Sequence, residues 1–221
     1  MTPHSVHFNA LILAGGRSSR LGGVPKQHLL FHGRSLLHAA LAAGSGAART
    51  VVVGPVTEPL PEGVLSCREQ PEFAGPAAAI AAGLEALAQA GPGAGYTLVL
   101  ACDMPRVAGA VAALEAALES HGGEDPGRAA GDGVMACSED GASQPLAGFY
   151  RTDVLQRSAG ELAASGRLVN GSVRSLLARL DVQLVTVPGG STADVDTWDD
   201  AAALGIDAGG LDRDPNRRSR S

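Results

Sequence analysis

FNALILAGGRSSRLGGVPK, residues 8–26, is the stretch on which the reading of this chain turns. Residues 8–14 form a short, nearly continuous apolar run that breaks at Gly15-Gly16. A run of that kind, bounded by turn residues and with no polar alternation, is the pattern of a strand buried on both faces. Such a strand needs helices above and below it, and the rest of the chain offers them.

Working outward, Ser35 is a plausible N-cap for a helix reaching about Ala48, followed by TVVV at 50–53 and a short run from Val64 to Cys67. Ile80, Leu84 and Leu87 fall at i, i+4 and i+7 after Gly75-Pro76, one face of a helix that GPGAG at 91–95 ends. YTLVLACD (96–103) is the second buried-strand candidate, and Val111, Leu114 and Leu118 mark the next helix. HGGEDPGRAAG (121–131) reads as a loop. GVMAC and LAGFY read as shorter strands. Val173, Leu176, Leu177 and Leu180 share a helix face, VQLVTV (182–187) is a last strand, and Thr197 to Leu204 a short helix. This alternation predicts an α/β fold with an open, mainly parallel sheet. The expected division is an N-terminal extension (1–7), one domain (8–204) and a disordered tail (205–221).

Composition narrows the function classes. Of 221 residues, 45% are hydrophobic and 18% charged, which excludes a disordered chain or a fibre. Only seven residues are aromatic, so the core relies on small residues and on Leu, Val and Ile. The net charge is −6, and four arginines crowd into the last nine residues, so the body has no basic face for nucleic acid. No run approaches the roughly 18 apolar residues of a membrane span. Cys67, Cys102 and Cys137 show no paired spacing and read as free thiols, which places the protein in the cytoplasm.

In open parallel sheets, ligands bind at the carboxyl ends of the strands. There Leu13, Ala14, Gly15, Gly16, Arg17 and Ser18 form a glycine loop whose free N–H groups make an anion nest, with Arg17, Arg20 and Lys26 adding positive charge. A phosphate chain is its natural guest. The loop is neither a Walker P-loop nor GxGxxG. Lys26 is the single lysine among 17 basic residues, which points to a compact ammonium being required there. Asp103, directly after the second buried strand, and Asp194-Val-Asp196-Thr197 are candidate Mg²⁺ ligands, since Mg²⁺ takes one or two carboxylates plus substrate oxygens. Helix N-capping is the alternative reading for both segments. His28 and His32 straddle a strand and a turn rather than one helix face, and Cys102 reads as a core residue rather than a nucleophile.

LAGGRSSRLGGVPK (13–26) resembles the signature loop of the MobA-like nucleotidyltransferases, LAGGxSxRMGxxK. REQPEFAGP (68–76), ACDMP (101–105), QPLAGFYR (144–151), NGSVRSLLARLD (170–181) and DVDTWDD (194–200) resemble further segments of that family, in order. The resemblance implies a Rossmann-like three-layer nucleotidyltransferase domain. It implies nucleotide contacts from Leu13, Ala14, Gly15, Gly16, Arg17, Ser18, Lys26, Gly54, Glu69, Gly75 and Asp103, with Mg²⁺ on Asp103 and Asp196. Lys26, Arg20 and Asp103 would be catalytic. Gly54 stands where the family often has asparagine, and Glu69 where it has aspartate. The implied reaction moves a nucleoside monophosphate from an NTP, GTP favoured, to a phosphate-bearing acceptor such as molybdopterin. Pro25, Leu21, GPAAAI and DVDT depart from the family's usual Asp, Met, GPLAGI and Asn-x-Asn-Thr. Pro25-Lys26-Gln27 and DVDT are closer to cytidylyltransferases, so a cytidylyltransferase is one alternative. A nucleotide-binding regulatory protein without catalysis is another.

Overall fold

The computed structural model describes residues 6–16, 19–121 and 131–207. β1 (Phe8–Leu13) is buried along its whole length and lies inside the sheet, as its nearly continuous apolar run predicts. Its side chains alternate between two cores. Phe8, Ala10 and Ile12 meet α1 (Leu36–Ala43) and α3 (Ala108–His121) on one face. Leu11 and Leu13 meet α2 (Pro76–Gln89), α4 (Thr152–Ala164) and α5 (Val173–Leu177) on the other. Three layers follow directly from this two-sided burial.

Beside β1 run β4 (Thr50–Val53), then β5 (Leu65–Cys67), on one side and β6 (Tyr96–Ala101) on the other. Beyond β6 come β8 (Ser143–Arg151), β7 (Gly133–Cys137) and β9 (Val182–Thr186), giving the order β5-β4-β1-β6-β8-β7-β9. Four of the six pairings are parallel; β8 alone runs against both of its neighbours. Gly83 on α2 lets that helix close onto β1, because a Cβ there would lie 2.6 Å from Leu11 Cδ1.

A second, three-stranded sheet is built from β2 (Leu30–Phe31), β3 (Arg34–Ser35) and β10 (Ile206–Asp207), with α6 (Trp198–Leu204) leading into β10. Its small core joins Leu21, Leu29 and Leu36 to Val195, Ala201 and Ile206. This core fastens the segment carrying Lys26 to the segment carrying Asp196.

Three expectations change. The helix expected over 35–48 stops at Ala43, where Gly44 caps it. α4 has no counterpart in the sequence reading, although Leu155, Ala159 and Leu162 are its buried stripe. The expected tail does not begin at Gly205, because Gly205 caps α6 in the left-handed conformation and Ile206 and Asp207 pair with β2. Residues 1–5, most of the 121–131 loop and the tail from 208 lie outside the described residues. Among the described residues no helix is long and apolar enough to cross a membrane.

Candidate active site

Strand order reverses beside β1, since the chain passes outward to β4 and β5 and then returns to β6. That reversal opens a crevice at the carboxyl ends of β1 and β6, the place where open α/β sheets bind ligands. Backbone bonds continue past the strand ends there: Ala14 N–H donates to Val53 O (2.8 Å) and Cys102 N–H to Leu13 O (3.0 Å). The glycine loop and Asp103 are therefore held level with each other.

A cavity of about 250 Å³ occupies this crevice. Leu13, Ala14, Gly15 and Gly16 line it together with Glu69, Phe73, Gly75 and Pro76, and so do Asp103 and Lys26. It is slightly below the roughly 300–1,000 Å³ of typical ligand clefts.

Gly22 and Gly23 take φ of 67° and 84°, a region that costs other residues, and so turn the chain back before Pro25. Pro25 is the N-cap of a 3₁₀ turn, Lys26–His28, that aims Lys26 across the crevice. Lys26 Nζ donates to Asp103 Oδ2 (2.9 Å) and to Asp196 Oδ1 (2.5 Å), while exposed Arg20 donates to Asp196 Oδ2 (3.2 Å). Burial pulls the Lys26 ammonium down, but Asp103 and Asp196 outweigh it and hold its pKa above the ordinary value.

Asp103, Asp194 and Asp196 bring one carboxylate oxygen each to within 4.8 Å of one another. Loss of solvent first, and then the charges of Asp103 and Asp196, hold the Asp194 carboxyl above its usual range. The capping alternative separates cleanly in this segment. Thr197 is the N-cap of α6 and forms a capping box with Asp200, leaving Asp194 and Asp196 to face Asp103. Asp103 lies five residues before α3 begins, and its carbonyl accepts from Val195 N–H.

The remaining predicted residues fall as follows. Glu69 is buried at the cavity wall, and its Oε1 accepts from Phe73 N–H at 3.2 Å. Gly75 is the N-cap of α2 and lines the cavity. Gly54 does not line the cavity; it packs behind the loop, where a Cβ would meet Ala14 and Gly15 backbone at 2.8 Å. Arg17 and Ser18 lie outside the described residues. The sequence assigned no nucleotide contact to Gln27, Phe73 or Leu146, which also line the cavity. The only sequence signal for Phe73 was its place in the EFAGP stretch. Cys102 is buried, and burial followed by Asp103 raises its thiol pKa, in keeping with an inert core residue.

A glycine loop and a set of hard oxygen donors thus share one crevice at the reversal of strand order. That is the arrangement of the nucleotidyltransferase class of α/β domains. The family model described as the MobA-like NTP transferase domain matches residues 10–184, and the chain belongs to that family. Over 57 residues it is 44% identical to the molybdenum cofactor guanylyltransferase of Acidiphilium cryptum (strain JF-5), a match that spans 26% of this chain and only 29% of that protein. Among solved structures it is similar to the molybdopterin-guanine dinucleotide biosynthesis protein A of Archaeoglobus fulgidus (TM-score 0.61, 19% identity, 89% of this chain and 96% of that one). It is similar also to the 2-C-methyl-D-erythritol 4-phosphate cytidylyltransferase of Thermus thermophilus (TM-score 0.60, 21% identity, 90% and 97%). These two likenesses bear on the fold.

Proposed function

We propose that this protein transfers GMP from GTP to molybdopterin, or to a closely similar phosphate-bearing acceptor, and releases pyrophosphate. The observation that carries the reading is Lys26 bridging Asp103 and Asp196 at the cavity rim, beside the glycine loop. An acceptor phosphate is already a competent nucleophile, so the site needs no general base; its work is positioning and neutralising charge. The free backbone N–H groups of Gly15 and Gly16 would cradle phosphate oxygens, with Lys26 and Arg20 holding charge on the leaving pyrophosphate. In this reading Arg17 and Ser18 would contribute nucleotide contacts, and Glu69 and Gly75 would border the nucleoside.

The donor set of Asp103, Asp194 and Asp196 fits Mg²⁺, being all hard carboxylate oxygen with mutual repulsion for a divalent cation to relieve. Bound there, Mg²⁺ would supply neutralisation of phosphate charge. The partial likeness to a guanylyltransferase supports GTP as donor. Residues 8–207 form the catalytic unit, and three free cysteines agree with a cytoplasmic site of action.

The cytidylyltransferase reading rests on Pro25-Lys26-Gln27 and DVDT. Gln27 is buried and its Nε2 donates to Pro55 O at 3.1 Å, so it serves the local packing and weighs little toward either base. The test is Mg²⁺-dependent pyrophosphate release with molybdopterin as acceptor and each of GTP, CTP, ATP and UTP as donor. Release with GTP alone supports the proposal. Release with CTP alone moves the protein to the cytidylyl reading, and binding without any release makes it a regulatory binder.

A further inference from the structure

Both oxygens of Asp196 are engaged by cations: Lys26 Nζ donates to Oδ1 at 2.5 Å and Arg20 to Oδ2 at 3.2 Å. The same Lys26 Nζ donates to Asp103 Oδ2 at 2.9 Å. Two of the three carboxylates that fit a divalent cation are thus bridged by one ammonium. Among the described residues, Asp194 alone of the three has no ion pair.

Mg²⁺ binds through carboxylate and substrate phosphate oxygens, so it draws on the oxygens that Lys26 holds. An ammonium and a dication a few ångströms apart repel each other. The Lys26 and Asp103 side chains are only 19% and 21% exposed, so salt screens that repulsion weakly. Of the groups involved, the lysine is the one free to move. Val195 N–H ties the acidic segment to the Asp103 carbonyl at 3.1 Å, and the Thr197–Asp200 capping box locks the chain just after Asp196. Lys26 reaches both carboxylates on a flexible four-carbon stem. Gly15 and Gly16 line the same cavity as Lys26, so an anion on the glycine loop gives the ammonium a second partner.

We propose that Lys26 competes with the divalent cation for Asp103 and Asp196, and that nucleotide phosphates relieve the competition by drawing the ammonium away. Metal and nucleotide then bind cooperatively, with Lys26 as the coupling residue. The part concerning nucleotide rests on the nucleotidyl-transfer reading and deepens it. The consequence is a reversal of sign: loss of the ammonium weakens nucleotide binding and strengthens binding of the metal alone.

The first test titrates Mn²⁺, without nucleotide, into wild type, Lys26→Met and Lys26→Met/Asp103→Asn, reading free Mn²⁺ by electron paramagnetic resonance. Lys26→Met is expected to bind Mn²⁺ roughly tenfold more tightly than wild type, and the double variant to lose that gain. Equal or weaker binding by Lys26→Met overturns the proposal. The second test uses the unaltered chain. Lys26 is its only lysine, so lysine labelled with ¹³C at Cε gives one nuclear magnetic resonance signal. That signal should move when Mg²⁺ and GTP bind together. A signal that stays fixed while both bind overturns the exchange and leaves nucleotidyl transfer standing. Tighter Mn²⁺ binding by Lys26→Met with no GTP binding by wild type would keep the competition and overturn the nucleotidyl-transfer reading.

Discussion

The Val195 N–H donates to the Asp103 carbonyl at 3.1 Å, tying the loop after β6 to the loop after β9. This one backbone bond sets Asp194 and Asp196 opposite Asp103. It explains how a lysine far away in sequence meets both acidic segments at hydrogen-bond distance. The small core around Val195, Leu21 and Ile206 supports the same junction from below.

Asp103 is placed by the end of β6 and is not needed to cap α3, so its removal should leave the fold standing. Asp103→Ala is expected to lower Mg²⁺-dependent turnover by about a hundredfold or more while the far-ultraviolet circular dichroism stays native. Wild-type turnover in this variant would remove the role given to Asp103.

Lys26 satisfies two carboxylates from one compact ammonium, at 2.9 and 2.5 Å. A planar guanidinium in the same place would have to displace one of them. Lys26→Arg is therefore expected to cost roughly tenfold or more in kcat. An unchanged rate would mean that any cation suffices at this position.

Two glycines on helices make opposite predictions. At Gly83 an added Cβ would sit 2.6 Å from Leu11 and 2.9 Å from Val53, so Gly83→Ala overpacks the α2–β1 contact and should cost about 1–3 kcal/mol. At exposed Gly160 on α4 nothing lies within 4 Å, and Gly160→Ala should gain about 0.5–1 kcal/mol from helix propensity. Denaturant titration of the pair reads both signs, and equal effects would contradict the packing described for α2.

The Cys67 and Cys102 thiols should be slow to react. Burial, then Glu69 and Glu85, raise the Cys67 thiol, and Cys102 is buried beside Asp103. A raised thiol pKa leaves less thiolate at neutral pH. Alkylation of native Cys67 should therefore keep accelerating as pH rises past the ordinary thiol value of 9.0. Rapid labelling at pH 7 by mass spectrometry would contradict the surroundings given to it.

Much of this architecture was legible because burial on two faces leaves a nearly continuous apolar run. β1 and β6 announce themselves in that way, and Ile80, Leu84 and Leu87 announce α2 by their spacing. β8 gives no sign of its direction, because orientation is decided by the partners it meets and not by its own residues. β2, β3 and β10 are two residues each, too short for any periodicity, and their pairing is long-range. In the site, the glycine loop, Lys26 and Asp103 stood out by composition and position. Asp196 could not be told from a capping residue until Thr197 was seen to take that role. Gly54, expected as a nucleotide contact, also carries a close backbone approach to Ala14 and Gly15 that the sequence did not show, since it depends on where β4 ends relative to the loop.

The most direct test of the central claim is calorimetry of GTP binding with Mg²⁺, on wild type and on Lys26→Ala, repeated with EDTA. Nucleotidyl transfer from this site predicts binding by the wild type that falls sharply both with Lys26→Ala and on removal of the metal. Binding of GTP that is indifferent to Lys26 and to Mg²⁺ alike would contradict it.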